Sequence, residues 1–297
     1  MPLSHRNYTV GCICPMGVEL APVKAMLDQT HPVSPTQRDQ NSYTLGEICG
    51  HSIVIAVLPE IGTNAAAAVA TQLLNDFPSI RFGLLVGIGD GVPDEEEDGY
   101  DIRLGDVVVS KPTASFGGVV QYDLGKYSTG GGFERTGVLN KPPQILRASD
   151  RRFRNICVTC FSSFPSWKRK YSYPGAEQDQ LYQTDYSHRG GADCQNCDRQ
   201  RIVVRDGRRD TNPKFHYGTI GSANTLVKDA GLREELRRAW KVACVEMEAT
   251  GLMDWFPCLV IRGICDYADS HKNKKWQPYA AATAAAYMKE LLSVIPP

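Results

Sequence analysis

Carboxylates stand where two apolar strands are predicted to end. Asp266 follows the apolar run from Cys258 to Ile264, so its side chain is expected where a buried strand opens into a cleft. Partial removal from water there would raise the pKa of a carboxyl group and suit it to donating a proton. Asp is also a common turn cap, and that ordinary use explains the residue equally well. Composition alone leaves both roles open.

A second pair of carboxylates lies in and after the predicted strand 243–247. Glu246 and Glu248 are two residues apart, with Met247 between them. In a strand both carboxylates would share one face, whereas at a strand-to-helix junction they diverge. Carboxylates beside a helix N-terminus also simply favour the helix dipole. Neither motif identifies a reaction by itself.

The elements that must position these carboxylates alternate along the chain. Strands are predicted at 8–14, 42–48, 52–58, 82–86, 106–110, 119–122, 215–220, 243–247 and 258–264, and helices at 18–27, 64–76, 143–161, 229–241 and 278–295. This alternation is typical of a three-layer α/β fold with a mostly parallel central sheet. Ligands of such folds bind beyond the carboxyl ends of the strands. The glycine-rich run 87–91 is accordingly expected to be a backbone-permissive turn after a strand.

The polar stretch at about 163–213 interrupts this pattern. Arg, Asp, Gly and Gln dominate it, and aliphatic anchors are few. Such a stretch lacks a core of its own, so it is expected to be a surface insertion rather than a second domain. The sequence therefore predicts a single domain over 1–297 that carries this insertion.

Four of the ten cysteines form two Cys-x-x-Cys pairs, namely Cys157 with Cys160 and Cys194 with Cys197. Two such pairs are the usual signature of a tetrahedral zinc site. Because the first pair falls in a predicted helix, whereas a zinc ribbon places both pairs on turns, free thiols are favoured and no metal is predicted. The other six cysteines lie in or beside apolar runs and are expected to pack in the core of a protein from a reducing compartment.

Charge and hydropathy exclude several classes of function. The chain has 33 basic and 33 acidic residues and a net charge of 0, so it has no cationic field to attract nucleic acid. Its apolar runs are well short of the roughly 20 residues that span a bilayer. The N-terminus has no apolar signal region. Neither a nucleic-acid partner nor a membrane is expected, and the predicted location is cytoplasmic.

In combination, the motifs resemble the purine nucleoside phosphorylase and nucleosidase superfamily. The resemblance rests on Val-Glu-Met-Glu-Ala at 245–249 and Ile-Cys-Asp-Tyr-Ala-Asp at 264–269, in this order and separation. It extends to Glu19 and to 86–91, 101–108 and 218–224, so it covers nearly the whole chain except the insertion. The stretch 268–279 is similar to the fungal branch. The resemblance implies the phosphorylase/hydrolase-like form of the three-layer fold.

The resemblance also implies roles for individual residues. Asp266 would protonate purine N7, and Glu248 would hold the ribose hydroxyls. Glu246 would help favour the positively charged, oxocarbenium-like transition state, and Met247 would pack on the sugar. Further substrate contacts are expected from Gly87, Ile88, Gly89, Ser222 and Asn224.

The nucleophile separates hydrolases from phosphorylases in this superfamily. Phosphate-binding members typically have a basic residue just before the glycine turn and a Ser inside it, whereas this chain has Leu85 and Ile88. Those side chains lack the charge-assisted hydrogen bonds that phosphate requires. Glu19 falls where nucleosidases of the methylthioadenosine type carry the Glu that orients water. Hydrolysis of purine ribonucleosides to free base and ribose, without a cofactor, is therefore predicted.

Two alternatives remain at this point. The amides of the glycine run could form an anion nest, assisted by Arg103 or Arg262, and bind either the phosphate of a phosphorylase reaction or the 5′-phosphate of a nucleotide. A regulatory module that senses a nucleoside without turnover would be the second alternative, although it would have no need of a proton donor. The predicted partners are a small purine nucleoside and further copies of the chain, with a dimer as the expected oligomer.

Overall fold

The computed structural model describes residues 3–32, 41–94, 100–149 and 170–297. Its strands are β1 (Val10–Cys14), β2 (Gln29–His31), β3 (Ser42–Ile48), β4 (His51–Val57), β5 (Phe82–Gly91), β6 (Val107–Ser110), β7 (Val119–Gln121), β8 (Gly125–Tyr127), β9 (Phe133–Arg135), β10 (Phe215–Ser222), β11 (Val242–Glu246) and β12 (Cys258–Asp266). Its α-helices are α1 (Gly17–Ala25), α2 (Thr63–Asp76), α3 (Gln144–Ser149), α4 (Ala230–Trp240) and α5 (Gln277–Val294).

Ten of the described strands form one sheet in the order β11-β10-β6-β12-β5-β1-β4-β3-β2, with β7 beside β10. Most pairings are parallel, including β12 with β5 and β1 with both β4 and β5. The end of β5 also pairs antiparallel with β11. This additional pairing closes β5, β12, β6, β10 and β11 into a ring. The ends of β5, β11 and β12 therefore converge.

Helices cover both faces of the sheet and produce two cores. On one face, α1 and α5 pack on β1, β5 and β12. On the other face, apolar residues of α2 pack with Phe256 and Leu252. The contact of α5 with β12 is close enough that a Cβ at Gly263 would lie 1.8 Å from the Ala280 carbonyl oxygen. The predicted three-layer α/β fold with a mostly parallel sheet is confirmed.

The described part of the insertion, 170–213, contains short 3₁₀ turns and an isolated bridge between Tyr182 and Ile202. Two arginines attach it to the sheet region: Arg208 lies 2.6 Å from Asp106, and Arg205 donates to the Ile102 carbonyl. Arg205 also lies 3.0 Å from Asp179 within the insertion. The first Cys-x-x-Cys pair and most of the helix predicted at 143–161 lie outside the described residues.

Several local predictions are corrected by the structure. The run 87–91 is a continuation of β5, because its residues pair with β12 and β11 on either side. The short strand β2 and the separate hairpin of β8 and β9 were not predicted. Five of the six cysteines expected in the core are buried, and Cys49 is half-buried. Among the described helices, none is long and apolar enough to cross a membrane.

Candidate active site

Arg262 of β12 lies at the centre of three glutamates and is almost fully buried. Its Nη2 contacts the carboxylate of Glu246 and lies 2.9 Å from Oε2 of Glu248. Its Nη1 lies 3.8 Å from Oε1 of Glu19 and donates to the Ile88 carbonyl at 3.2 Å. We call Arg262 with these three glutamates the arginine–glutamate cluster. One cation faces three carboxyl groups where water is scarce, so at least one carboxyl is disposed to hold a proton.

Glu19 is the member of the cluster whose protonation is most disturbed. It lies at the start of α1, where Oε2 accepts from the Met16 amide at 2.5 Å and Oε1 from the Ile88 amide at 2.7 Å. Burial raises the pKa of Glu19 to about 8, against the opposing effect of Arg262. A carboxyl with a pKa near the operating pH is suited to exchange protons with a bound water.

Gly87 explains how Glu19 and Arg262 reach each other. A Cβ at Gly87 would lie 2.4 Å from both Glu19 Oε1 and Arg262 Nη1. Only glycine leaves room for the two side chains to approach across β5. The glycine-rich run is therefore required by packing of the site.

Glu246 and Glu248 differ in how many hydrogen bonds their carboxylates already accept from the protein. Glu246 accepts from the amides of Glu248 at 3.1 Å and Ala249 at 3.0 Å, in addition to Arg262. Glu248 accepts from the Gly62 amide at 3.2 Å and from Arg262. Burial raises the pKa of Glu248, with Arg262 opposing. Glu246 thus shapes the turn after β11, while Glu248 keeps more capacity to accept hydrogen bonds from a ligand.

A cleft of about 330 Å³ opens beside these carboxylates; we call it the glutamate cleft. Its lining includes acidic, apolar and basic side chains of the site: Glu19, Ile88, Gly89, Asp90, Lys228, Glu246, Met247, Glu248, Lys272 and Lys274. The structure thus brings together six of the residues predicted for the site. Gly87 lies beneath the cleft rather than in its lining.

Asp266 belongs to a second charged group at the end of β12. Its Oδ2 lies 2.8 Å from Nζ of Lys272, and its Oδ1 accepts from the Ala268 amide at 3.0 Å. The same ammonium lies 2.6 Å from Oδ1 of Asp90. Burial and the charge of Asp266 raise the pKa of Asp90 well above its ordinary value. We call Asp90, Asp266 and Lys272 the aspartate–lysine cluster, in which one carboxyl is expected to be protonated.

Asp266 faces an adjoining cleft rather than the glutamate cleft. This aspartate cleft has about 630 Å³ and is lined by residues of β12, the following loop and the insertion, among them Cys194, Cys265, Asp266, Tyr267, Asp269, His271 and Trp276. Lys272 lines the glutamate cleft and contacts Asp266. The proton donor predicted for the base therefore lines a different cleft from the carboxylates predicted for the sugar, and Lys272 of the glutamate cleft contacts that donor.

The structure does not place Ser222 and Asn224 in a base pocket. Ser222 is fully buried, and its Oγ accepts from the Thr250 amide at 2.9 Å. Asn224 accepts from the Thr63 amide at 3.3 Å, at the start of α2. Neither residue contributes to the lining of the two clefts. Both side-chain oxygens accept from neighbouring backbone amides in this structure, and their contact with the base stays a prediction.

The anion nest is also corrected. The glycine run is a paired strand, and the Ile88 amide is already bonded to Glu19. Arg262 is committed to carboxylates, and Arg103 bonds to Asp101 at 2.9 Å and to the Asp206 carbonyl at 2.6 Å. Neither arginine is positioned as a phosphate ligand.

A group of metal-ligand atoms lies at the same place. Asp90, Cys265 and Asp266 offer ligand atoms within 4.8 Å of one another. The Lys272 ammonium lies within 2.8 Å of both carboxylates, so a cation of the protein itself already occupies the position. These residues do not fit a metal ion with Lys272 in place.

Asp90 and Lys272 were not singled out by sequence reasoning. Asp90 meets Asp266 because the two are register partners between β5 and β12, and register between distant strands is not visible in the sequence. Lys272 lies six residues after Asp266 in a charged stretch, where nothing local distinguishes it from a solvent-exposed lysine.

The family model described as the phosphorylase superfamily matches residues 9–293. The chain therefore belongs to this superfamily, as the strand ends and the arginine–glutamate cluster already suggested. A nucleotide-binding leucine-rich repeat (NLR)-like protein of the fungus Hyaloscypha variabilis is 45% identical over 305 residues, covering 99% of this chain and 30% of that protein. The ATP nucleosidase Cap17 of Escherichia coli is 26% identical, covering 80% of this chain and 41% of its own length.

Solved structures with the same fold include two bacterial enzymes. The futalosine hydrolase of Helicobacter pylori superposes with a TM-score of 0.62 at 18% identity, over 97% of this chain and 98% of that one. The 5′-methylthioadenosine/S-adenosylhomocysteine nucleosidase of Neisseria meningitidis gives 0.62 at 18% identity, over 96% and 98%. The chain spans less than half the length of the curated relatives it matches.

Proposed function

We propose that the chain is a nucleosidase that hydrolyses the N-glycosidic bond of purine ribonucleosides or their 5′-phosphates. The observation that carries this proposal is the placement of Glu19, Met247 and Glu248 around one cleft, with the aspartate–lysine cluster at its edge. Cleavage builds positive charge on the ribose and negative charge on the base. The site supplies carboxylates for the first and a proton source for the second.

Water is the nucleophile that the residues support. Glu19 can accept a proton from a water in the glutamate cleft, because its pKa of about 8 is close to neutral. The water oxygen forms a bond to the anomeric carbon as the bond from that carbon to the purine nitrogen breaks. Arg262 and the amides of Met16 and Ile88 hold the Glu19 carboxyl in place.

Glu248 and Met247 serve the sugar in this proposal. Glu248 accepts hydrogen bonds from the ribose hydroxyls, and its negative charge favours the oxocarbenium-like transition state. Met247 provides an adaptable apolar contact beside it. Glu246 acts as a positioning residue, because its oxygens are bonded to Arg262 and to the amides that follow it.

The aspartate–lysine cluster supplies the proton to the departing base. Burial and the charge of Asp266 oppose the ionisation of Asp90 and raise its pKa, which disposes this carboxyl to carry the proton. That proton passes to Asp266 and on to the purine ring nitrogen, so that the base leaves as a neutral molecule. Lys272 stabilises the carboxylate that remains.

A substrate with 5′-phosphates is favoured by the basic residues of the glutamate cleft. Lys228 and Lys274 are exposed and line the cleft together with Glu19 and Glu248. Ammonium groups at the mouth of a cleft attract phosphate. One relative is named an ATP nucleosidase, which supports the same choice. The phosphorylase alternative gains no such support, since no described arginine is positioned for inorganic phosphate beside Glu19.

Product analysis tests the proposal. The full chain is incubated in phosphate-free buffer with adenosine, inosine, guanosine, AMP or ATP, and the base and sugar products are identified by mass spectrometry. Free base with ribose or ribose 5-phosphates is expected, with no acceleration by added phosphate. Ribose 1-phosphate would establish the phosphorylase instead. Absence of cleavage of every substrate would support a sensing module.

A further inference from the structure

A group of metal-ligand atoms lies in the insertion, where Cys194 shares the lining of the aspartate cleft with Asp266. His188, Cys194 and Cys197 each offer a nitrogen or sulfur atom, and these atoms lie within 4.8 Å of one another. Cys194 begins a 3₁₀ turn that Asp193 caps through the Gln195 amide. A Cys-x-x-Cys motif on a turn, joined by an imidazole, is an arrangement that zinc prefers.

The hydrogen bonds of the His188 ring determine which of its nitrogens carries the lone pair. Its Nε2 lies 2.9 Å from the Asp193 carbonyl oxygen and donates to it in the neutral ring. The lone pair is then on Nδ1, which accepts from the Gly190 amide at 3.1 Å. Metal-bound histidines ordinarily donate their second N–H to a backbone carbonyl in this way. A metal at Nδ1 would replace the Gly190 amide, which lies in an exposed loop and can turn to water.

A buried histidine without hydrogen bonds points to the same place. His271 is 7% exposed, and neither of its ring nitrogens has a hydrogen-bond partner. The nearest carboxylate oxygen, on Asp269, is 3.6 Å from Nδ1. The ring stacks on Tyr182 at 4.0 Å and lies 5.5 Å from the His188 ring, between centroids. Unsatisfied buried polar groups are costly. His271 lines the same cleft as Cys194, and its ring would have to turn toward an ion held by His188, Cys194 and Cys197 for one of these nitrogens to bind it.

We propose that His188, Cys194 and Cys197 bind one zinc ion, and that His271 completes the tetrahedral set. Both thiols bind as thiolates and release their protons to solvent. Two thiolates balance the charge of Zn²⁺, so the site needs no further anion. With four protein ligands no position is left for substrate, and the ion is structural. This assignment replaces the sequence-based preference for free thiols.

The ion would join the insertion to the loop that follows β12. His271 lies in that loop, whereas the other three ligands lie in the insertion. The two segments already meet, because the His188 amide donates to Ser270 Oγ at 2.9 Å. Asp266 and Lys272 flank this contact in sequence. Zinc would therefore fix the backbone that positions the aspartate–lysine cluster.

Metal analysis of the tag-free full chain, purified without chelator, tests the site without relying on turnover. About one equivalent of zinc per chain is expected for a closed structural site. In the double variant Cys194→Ser/Cys197→Ser, the zinc content per chain should be at least tenfold lower than in the wild type. Cys49→Ser is the matched control, since Cys49 is a half-buried thiol at the turn between β3 and β4, and it should retain the metal.

His271→Gln tests the fourth ligand. It should release zinc to a competing chelator at least tenfold faster than the wild type, while circular dichroism shows an unchanged fold. Wild-type protein without zinc, with Cys194 and Cys197 free or joined as a disulfide in thiol mapping, would overturn the proposal. Unchanged zinc retention in the double cysteine variant would overturn it equally. Neither result bears on whether the chain cleaves nucleosides.

Discussion

Two cations of this protein each bind several carboxylates, yet they do so under different conditions. Arg262 comes from the middle of a central strand, and its side chain is 1% exposed among three glutamates. Lys272 comes from a loop, and its side chain is 15% exposed between two aspartates. An arginine in a strand is fixed in place by its fork of donors. A lysine on a loop can move, which suits a group that must admit a base beside Asp266.

The largest difference should be seen in stability. Arg262→Met removes the cation that the described residues place among three buried carboxyl groups and should lower the free energy of unfolding by about 3–5 kcal/mol. Lys272→Met leaves carboxylates that border open clefts and can be hydrated, so a loss of about 1–3 kcal/mol is expected. Urea denaturation of both variants measures the two values. Equal losses would show that the two cations contribute equally to the free energy of unfolding.

Turnover should depend strongly on the aspartate–lysine cluster, although that cluster contributes less to stability. Asp266→Asn keeps the shape and one hydrogen bond but removes the proton path, so kcat should fall about 10² or more, with substrate binding largely retained. Asp90→Asn should give a similar fall if the two aspartates share one proton. Asp210→Asn, at an exposed aspartate of the insertion, is the matched control. Near-wild-type turnover of Asp266→Asn would remove this residue from the mechanism.

The pH dependence should reveal Glu19. As a base it must be ionised, so kcat should rise as pH increases through about 8. Glu19→Gln should lower kcat by about 10² and abolish this rise, whereas Glu47→Gln, on the distant strand β3, should retain it. A rise that persists in Glu19→Gln would assign the titration to another group.

Stability should follow the opposite course with pH. The pKa of Glu19 in the folded state, about 8, is higher than its ordinary value of 4.5. The folded chain therefore binds a proton that the unfolded chain releases, and this contribution is present below about 4.5 and lost as pH rises through 8. Relative to Glu19→Gln, the free energy of unfolding of the wild type should fall over that interval, by up to ~1.4 kcal/mol per pH unit. Urea denaturation at several pH values provides the measurement.

The smallest expected effect concerns the rim of the glutamate cleft. Lys228→Gln/Lys274→Gln should raise KM for ATP about tenfold and leave KM for adenosine unchanged, because only the nucleotide presents phosphates to the two ammonium groups. Steady-state kinetics at low and high salt checks this, since screening should diminish the difference. An equal change for both substrates would place the lysines at the nucleoside rather than at the phosphates.

Sequence reasoning was most successful where chemistry and local pattern coincide. Glu19, Met247 and Glu248 follow short apolar runs, and the structure brings them to one cleft as expected from strand ends that converge. It was less informative where a residue's partner comes from a distant element. Ser222 and Asn224 were assigned from their position in a family motif, and the structure adds that their oxygens accept from the amides of Thr250 and Thr63. Their contact with the base stays a prediction.

The conformation of the glycine-rich run 87–91 could not be predicted from the sequence for the same reason. Glycines after an apolar strand are equally compatible with a turn and with a strand that others approach closely. Pairing with β11 and β12, together with the Glu19 and Arg262 side chains against Gly87, decides for the strand. Both partners are remote in sequence, so no local pattern could have indicated them.

The sequence by itself determined the alternation of the main strands and helices, the fold class and the carboxylates that end the central strands, because apolar periodicity and residue chemistry are local properties. Tertiary structure alone decided that Arg262 joins three glutamates and that Asp90 and Asp266 share Lys272. Those decisions depend on strand register and burial. Both arise from pairing between segments more than a hundred residues apart, and burial then sets which carboxyl groups hold protons.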